Sequence, residues 1–271
     1  MKKLITLILT LMLGLTACLG FSGCAKTTKV GVQEGTTSLM YAECLKGVAV
    51  SSYTTFPLAG DAMKNGNVDY VICDKATATS MCNTMGGMKY IDIALSTEFY
   101  GIAMDKAQPE LGASINQILA DKATEIQAII DKYMAGDTAN YVGVTSAQKD
   151  TDNNEGQLVV ATNAEFAPWE YVDGDKYYGI DMEIAQILAD ELDLELVIDD
   201  MAFESVVSSV GNHGVDIAMS GITITNERKE IVNFSTSYYT ESIVLICKEN
   251  CTDFDSAGTV VDMLNVLCKN K

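Results

Sequence analysis

The chain has 271 residues with a formal charge of −19, and it carries three prolines, one histidine and eight cysteines. So acidic a chain argues against a nucleic-acid partner, which requires a basic face. The cysteine spacings do not resemble a zinc site, and a single histidine leaves little to complete one, so neither metal nor cofactor is expected.

The N-terminus, "MKKLITLILTLMLGLTACLGFSGCAK", places two lysines before an apolar run and then small residues. That is the layout of an export signal, set aside from the fold as residues 1–24. The run is too short for a membrane span of about 20 residues. "LTAC" and "FSGC" both fit a lipobox, so Cys18 and Cys24 are both lipidation candidates. The expectation is an exported chain, lipid-anchored on the outer face of the cytoplasmic membrane. An ordinary secretory signal with incidental cysteines is the alternative.

Strand-like and helix-like segments then alternate. "TKVGVQEG" is a short β-branched run closed by Gly35, and "GDAMKNGNVDYVICD" reads as a helix end, a Gly-Asn turn and a buried strand at 68–73. "EFYGIAM" is another apolar run. Residues 109–134 have apolar residues at helical spacing between Pro109 and Gly136. Residues 135–156 are polar and poorly patterned, the signature of a linker. Beyond them the pattern restarts with strands at 158–162, 194–198 and 215–219, all continuous apolar runs, as in parallel sheets covered on both faces. In "CKENC", Cys247 and Cys251 stand close, and export permits a disulfide there without requiring one.

The halves echo each other: "KNGNVDYVICD" and "GNHGVDIAMSG" share a helix end, a glycine turn, Val-Asp and a buried strand. Both strands end at polar residues, Asp74 and Ser220, and ligands of open α/β sheets bind beyond the carboxyl ends of strands. Two halves facing each other across a cleft are expected.

Residues 157–248, from "LVVATNAEFAPWEYVDGDKYYGIDMEIAQILADEL" through "SGITITNERKEIVNFSTSYY", resemble the amino-acid-binding family of bacterial ABC-transporter solute-binding proteins. Residues 29–134 resemble the other lobe of the same family, more loosely in the middle. The order is reversed relative to the family, so the resemblance implies a circular permutation, or else a damaged tandem duplication. The implied fold is α/β and periplasmic-binding-protein-like, with two lobes, each a mostly parallel sheet flanked by helices. One lobe takes residues 29–98 plus 249–271, the other 99–134 plus 157–248, and 135–156 joins the old termini. Chain crossings are expected near 99–104 and 243–248.

By resemblance, Arg228 binds the α-carboxylate of an amino acid, and a guanidinium fork suits that group. Ser220, Gly221 and Thr223 fall where the family offers backbone and hydroxyl partners. Thr36 and Thr37 complete the carboxylate cradle from the other lobe, and Asp74 meets the α-ammonium unless it merely caps the segment after its strand. Phe166 and Phe203 match positions that pack on the ligand side chain. Trp169 is cleft wall or core. Family members that take basic amino acids often carry an acid near Asn163, and Glu165, on the same face of an extended strand, is a substitute. The implied function is binding of a polar or basic amino acid by a monomer that delivers it to permease subunits. A cyclohexadienyl-dehydratase-like enzyme, a sensor domain and a non-functional recombinant are the alternatives; His213 is the only histidine available to the enzyme.

Overall fold

A computed structural model describes residues 27–150, 156–212 and 214–268. The export signal with Cys18 and Cys24, and His213, lie outside the described residues.

Two five-stranded sheets form the frame. The first runs in the order β2 (Val48–Tyr53), β1 (Thr28–Gln33), β3 (Tyr70–Asp74), β13 (Tyr239–Lys248) and β4 (Met88–Tyr100). The second runs β10 (Glu195–Asp200), β6 (Gln157–Thr162), β11 (Ile217–Ala218), β5 (Ala103–Met104) and β12 (Asn233–Phe234). In each, the first three strands are parallel and the fourth is reversed: β13 lies antiparallel to β3 and β4, and β5 to β11 and β12. A three-stranded antiparallel sheet, β7 (Glu165–Phe166), β8 (Glu170–Asp173) and β9 (Lys176–Tyr178), sits beside the second.

The parallel strands have both faces covered. Every residue of β3 is buried, and so are the last five of β6, which explains their unbroken apolar runs. Helices α1 (Thr37–Glu43), α2 (Phe56–Lys64) and α3 (Lys75–Met85) follow β1, β2 and β3 in turn. Thr36 and Thr55 cap the first two, accepting from Leu39 N and Leu58 N. Beyond the sheets' middle strands come α4 (Pro109–Asp121), α5 (Ala123–Met134), α6 (Ile180–Glu191), α7 (Phe203–Ser209), α8 (Asn226–Lys229) and α9 (Val260–Leu267). On α9, Met263 and Leu267 pack with Val30, Ile72 and Leu245 of the first sheet.

The chain passes from the first sheet to the second at 101–102 and returns at 235–238. The second passage comes earlier than the sequence suggests. All of β13 pairs within the first sheet, because its apolar stretch Ile243–Cys247 completes that core between β3 and β4. Cys247 is buried there, and Cys247 and Cys251 are unbridged.

The segment after α5 is better anchored than its composition implies. Tyr141 stacks on Tyr133 at 3.9 Å, Val144 exchanges two backbone hydrogen bonds with Tyr177, and Ala147 N donates to Leu196 O. Extended backbone here satisfies its polar groups against neighbouring strands, which needs no side-chain pattern.

Helix α5 is held on α6 through Glu183. Its carboxylate accepts from Lys132 Nζ (2.6 and 2.8 Å), from Tyr133 Oη (2.8 Å) and from Val142 N (3.0 Å). Burial and this bond push the Tyr133 hydroxyl well above the usual tyrosine range. Lys132 and Glu183 are 17% and 8% exposed at their side chains, so removing one partner strands the others. Glu183→Ala is expected to destabilise the protein by about 3 kcal/mol, the range for breaking a buried pair. Urea denaturation with unchanged slope checks it; a loss below about 1 kcal/mol would make the cluster a surface ornament.

Candidate functional site

Four strand ends converge between the two sheets. β1 ends at Gln33 and β3 at Asp74 on one side; Asn163 follows β6, and Ser220 follows β11 after one residue, on the other. Between them lies a small cavity of about 10 Å³, room for about one water, lined by Gln33, Thr36, Thr37, Asp74, Phe166, Phe203, Gly221, Thr223 and Arg228.

Arg228 comes from α8, whose first turn is capped by Thr225, with Thr225 Oγ1 accepting from Arg228 N. Its guanidinium lies 5.6 Å from the Phe203 ring centroid. Nη1 donates to Thr223 O (2.8 Å), and Nη2 donates across the cleft to Gly35 O (3.0 Å). Burial holds Arg228 below the usual guanidinium value, with Asp74 and Glu98 opposing that shift. An entering carboxylate would take over the fork edge now facing Gly35.

Asp74 faces the same cavity from the first sheet. It occupies the N-cap position of α3, yet its side chain makes no cap bond. Glu241 does that work instead, accepting from Ala76 N at 3.1 Å. The carboxylate of Asp74 is therefore not engaged in holding the helix start. Burial, and next the neighbouring Glu241, push its pKa up to about 8. The buried Tyr100 hydroxyl stands beside it without a well-formed hydrogen bond.

The remaining residues divide. Thr36 Oγ1 is occupied locally, donating to Gln33 O (2.7 Å) and accepting from Leu39 N (3.2 Å). Gly221 has a φ of +52°, and a Cβ there would stand 2.6 Å from the Phe166 ring, so glycine lets the turn approach that ring. Phe166 stacks on Phe56 of the opposite lobe at 5.7 Å. Ser220 is fully buried behind the cavity rather than on its wall.

Glu165 departs from expectation. Its backbone N donates to Asn163 O at 2.7 Å, so the chain turns tightly and the two side chains do not share a strand face. Glu165 is exposed and lines a separate, larger groove with Tyr171, Tyr239 and Glu241. Trp169 is core, not cleft wall: it is fully buried, with its ring 4.9 Å from Tyr100 and 4.8 Å from Tyr239.

Gln33 is the residue that sequence reasoning missed. Its Nε2 donates to Asn163 Oδ1 at 3.0 Å, and Asn163 Nδ2 donates to Met201 O. This buried amide pair joins the lobes. The position of Gln33 just before "EGTTS" at a strand end was its only sequence signal. Among the described residues no group of three or more His, Cys, Asp and Glu side chains could hold a metal ion, and no helix is long and apolar enough to cross a membrane.

Residues 158–265 match the family of bacterial extracellular solute-binding proteins, family 3. The chain is similar to the "Arginine-binding extracellular protein ArtP" of Bacillus subtilis (strain 168), 34% identical over 105 residues, covering 39% of this chain and 41% of that one. It is also similar to the cyclohexadienyl dehydratase of Pseudomonas aeruginosa, 33% identical over 97 residues, covering 35% and 36% of the two chains. The crystal structure of the GluR0 ligand-binding core with L-glutamate shares the fold at a TM-score of 0.50 and 13% identity, covering 90% of this chain and 94% of that one. The sequence match thus spans about two-fifths of these curated relatives, whereas the fold match spans nearly the whole chain.

Proposed function

The chain belongs to the bacterial extracellular solute-binding proteins, family 3, and from that premise we propose that it binds a single polar or basic amino acid. The observation that carries the reading is one cavity faced by Arg228 from the second sheet and by Asp74 from the first. A zwitterion offers a carboxylate to the guanidinium fork and an ammonium to Asp74, so both ends are satisfied only when the lobes meet. Phe166 and Phe203 supply apolar walls for the side chain, and Gln33 supplies a polar contact beside them. The basic choice draws on the arginine-binding relative; Glu165, lying in the other groove, does not supply the acid for a cationic side chain.

In this reading the protein works outside the cytoplasm as a monomer and delivers its ligand to the permease subunits of an ABC transporter. Cys18 or Cys24 carries the lipid that tethers it to the membrane. The family segments are circularly permuted: the part found at 157–248 corresponds to the beginning of a relative, and residues 135–156 join the former ends. The family match starting at residue 158 and the two crossings between sheets support that order.

Isothermal titration against the twenty amino acids tests the proposal. L-arginine, L-histidine or L-glutamine is expected to bind with a Kd of about 1 μM or tighter, ~8 kcal/mol. No binding by any of the twenty would overturn it. Turnover of prephenate or arogenate would move the protein to the dehydratase side of the fold.

A further inference from the structure

Behind the cavity wall lies a polar cluster that takes no part in lining it. Glu170 on β8 and Asp181 in the first turn of α6 are both fully buried. Ser220 Oγ donates to Glu170 Oε1 at 2.5 Å and accepts from Asn163 N at 3.2 Å. Gly221 N donates to Asp181 Oδ2, and Tyr238 Oη donates to Asp181 Oδ1, each at 2.8 Å. Two adjacent residues of the ligand-facing turn are thus each tied to a different buried carboxyl group. We propose that Asp181 and Glu170 are positioning residues for ligand binding, fixing the Ser220–Gly221 turn from behind. The inference rests on the amino-acid-binding reading for its consequence, but not for its geometry.

The two groups divide the labour. Asp181 sits near the N-terminus of a twelve-residue helix, where the backbone dipole favours negative charge, and both its oxygens accept from neutral donors. Glu170 has no such donors on Oε2, which is buried without a partner. Burial and the nearby Asp181 push Glu170 far above the ordinary carboxylate range, with Asp200 adding to it. Burial raises Asp181 too, with Gly221 and Tyr238 opposing. The two donors on Asp181 favour its charge, and the buried, unpartnered Oε2 of Glu170 favours the neutral form of that carboxyl group. Gly221 cannot move its amide without leaving that charge short of a donor. Its φ of +52° is thereby held in a region that the turn needs and that other residues avoid.

Hydrogen exchange of the unliganded protein reads the turn directly. In Asp181→Asn an NH2 group meets one of two donors, so the Gly221 amide should exchange at least about tenfold faster, while β6 and α6 keep their protection. Unchanged Gly221 protection overturns the proposal whether or not any amino acid binds. Titration with L-arginine, L-histidine and L-glutamine then reads the consequence. Asp181→Asn should weaken whichever binds by at least about tenfold, and Glu170→Gln, which keeps a neutral acceptor for Ser220, by no more than about threefold.

The pH profile separates positioning from bulk structure. From about pH 8 down to about pH 5, wild-type affinity should fall further than that of Asp181→Asn, because protonating Asp181 removes an acceptor. The Asp74 contribution is common to both chains and cancels in their ratio. Parallel profiles would count against the assignment. If Asp181→Asn does not fold, Tyr238→Phe serves: losing one donor should move the acid-side fall to higher pH, and an unmoved profile overturns the proposal.

Discussion

Arg228→Ala is expected to abolish useful amino-acid binding, weakening it by at least roughly thirtyfold, the lower end of about 2–5 kcal/mol for truncating a buried charge pair. The guanidinium stands in the cavity with one nitrogen on Thr223 O and another reaching Gly35 O. Removing it leaves the ligand carboxylate in a confined site with no cation. The structural cost should be smaller, about 1 kcal/mol, since Arg228 is only half-buried and its two partners are neutral carbonyls. Arg228→Lys should bind nearly as badly, because a single ammonium cannot serve a carboxylate through two parallel bonds. Titration beside a thermal melt separates the two effects. Binding within twofold of wild type would remove Arg228 from the site.

Asp74→Asn is expected to act in opposite directions on binding and on stability. Affinity should fall at least tenfold, ~1.4 kcal/mol, because the charge that meets the α-ammonium is gone. The empty protein should melt higher. Burial raises this carboxyl from 3.8 to about 8, so between those values the folded chain holds a proton that the unfolded chain has released. Its contribution to stability is present below the lower value and is lost as pH rises towards the upper one. Asparagine removes that loss, and near neutral pH each kcal/mol recovered is roughly 2–4 °C in Tm. Binding to wild type should also release protons on the acid side of about 8, and binding to the variant should not. Titration in buffers of unequal ionisation heat reads that difference. A compound lacking only the amine is the control: equal losses for it and for the full amino acid would make Asp74 a structural residue.

Much of the frame is legible in the chain itself. Unbroken apolar runs announce β3 and β6 because both faces of those strands are covered. The converging strand ends follow from the same pattern, and with them the approximate place of Asp74 and Ser220. The reversed strands are not legible: the apolar run of β13 reads the same whether it pairs forwards or backwards, and only the gap between β3 and β4 decides. Side-chain direction after a tight turn is equally hidden, which is why Glu165 leaves the cavity that extended geometry would give it. Trp169 looks like a recognition aromatic and turns out to be filling core against two tyrosines. The amide pair of Gln33 and Asn163 is invisible for another reason: its partners lie 130 positions apart.

The strand that separates β3 from β4 is made only after the whole second sheet has been synthesised. A nascent chain therefore cannot finish its first sheet early. β3 and β4 wait with their inner edges bare, exposed to wrong pairing, until residues near the C-terminus arrive. Closing such distant contacts is slow, and it couples the two lobes into one late event. If the chain is exported as proposed and crosses the membrane as an unfolded thread, that delay is an advantage: the part that emerges first cannot complete its sheet before the part that emerges last.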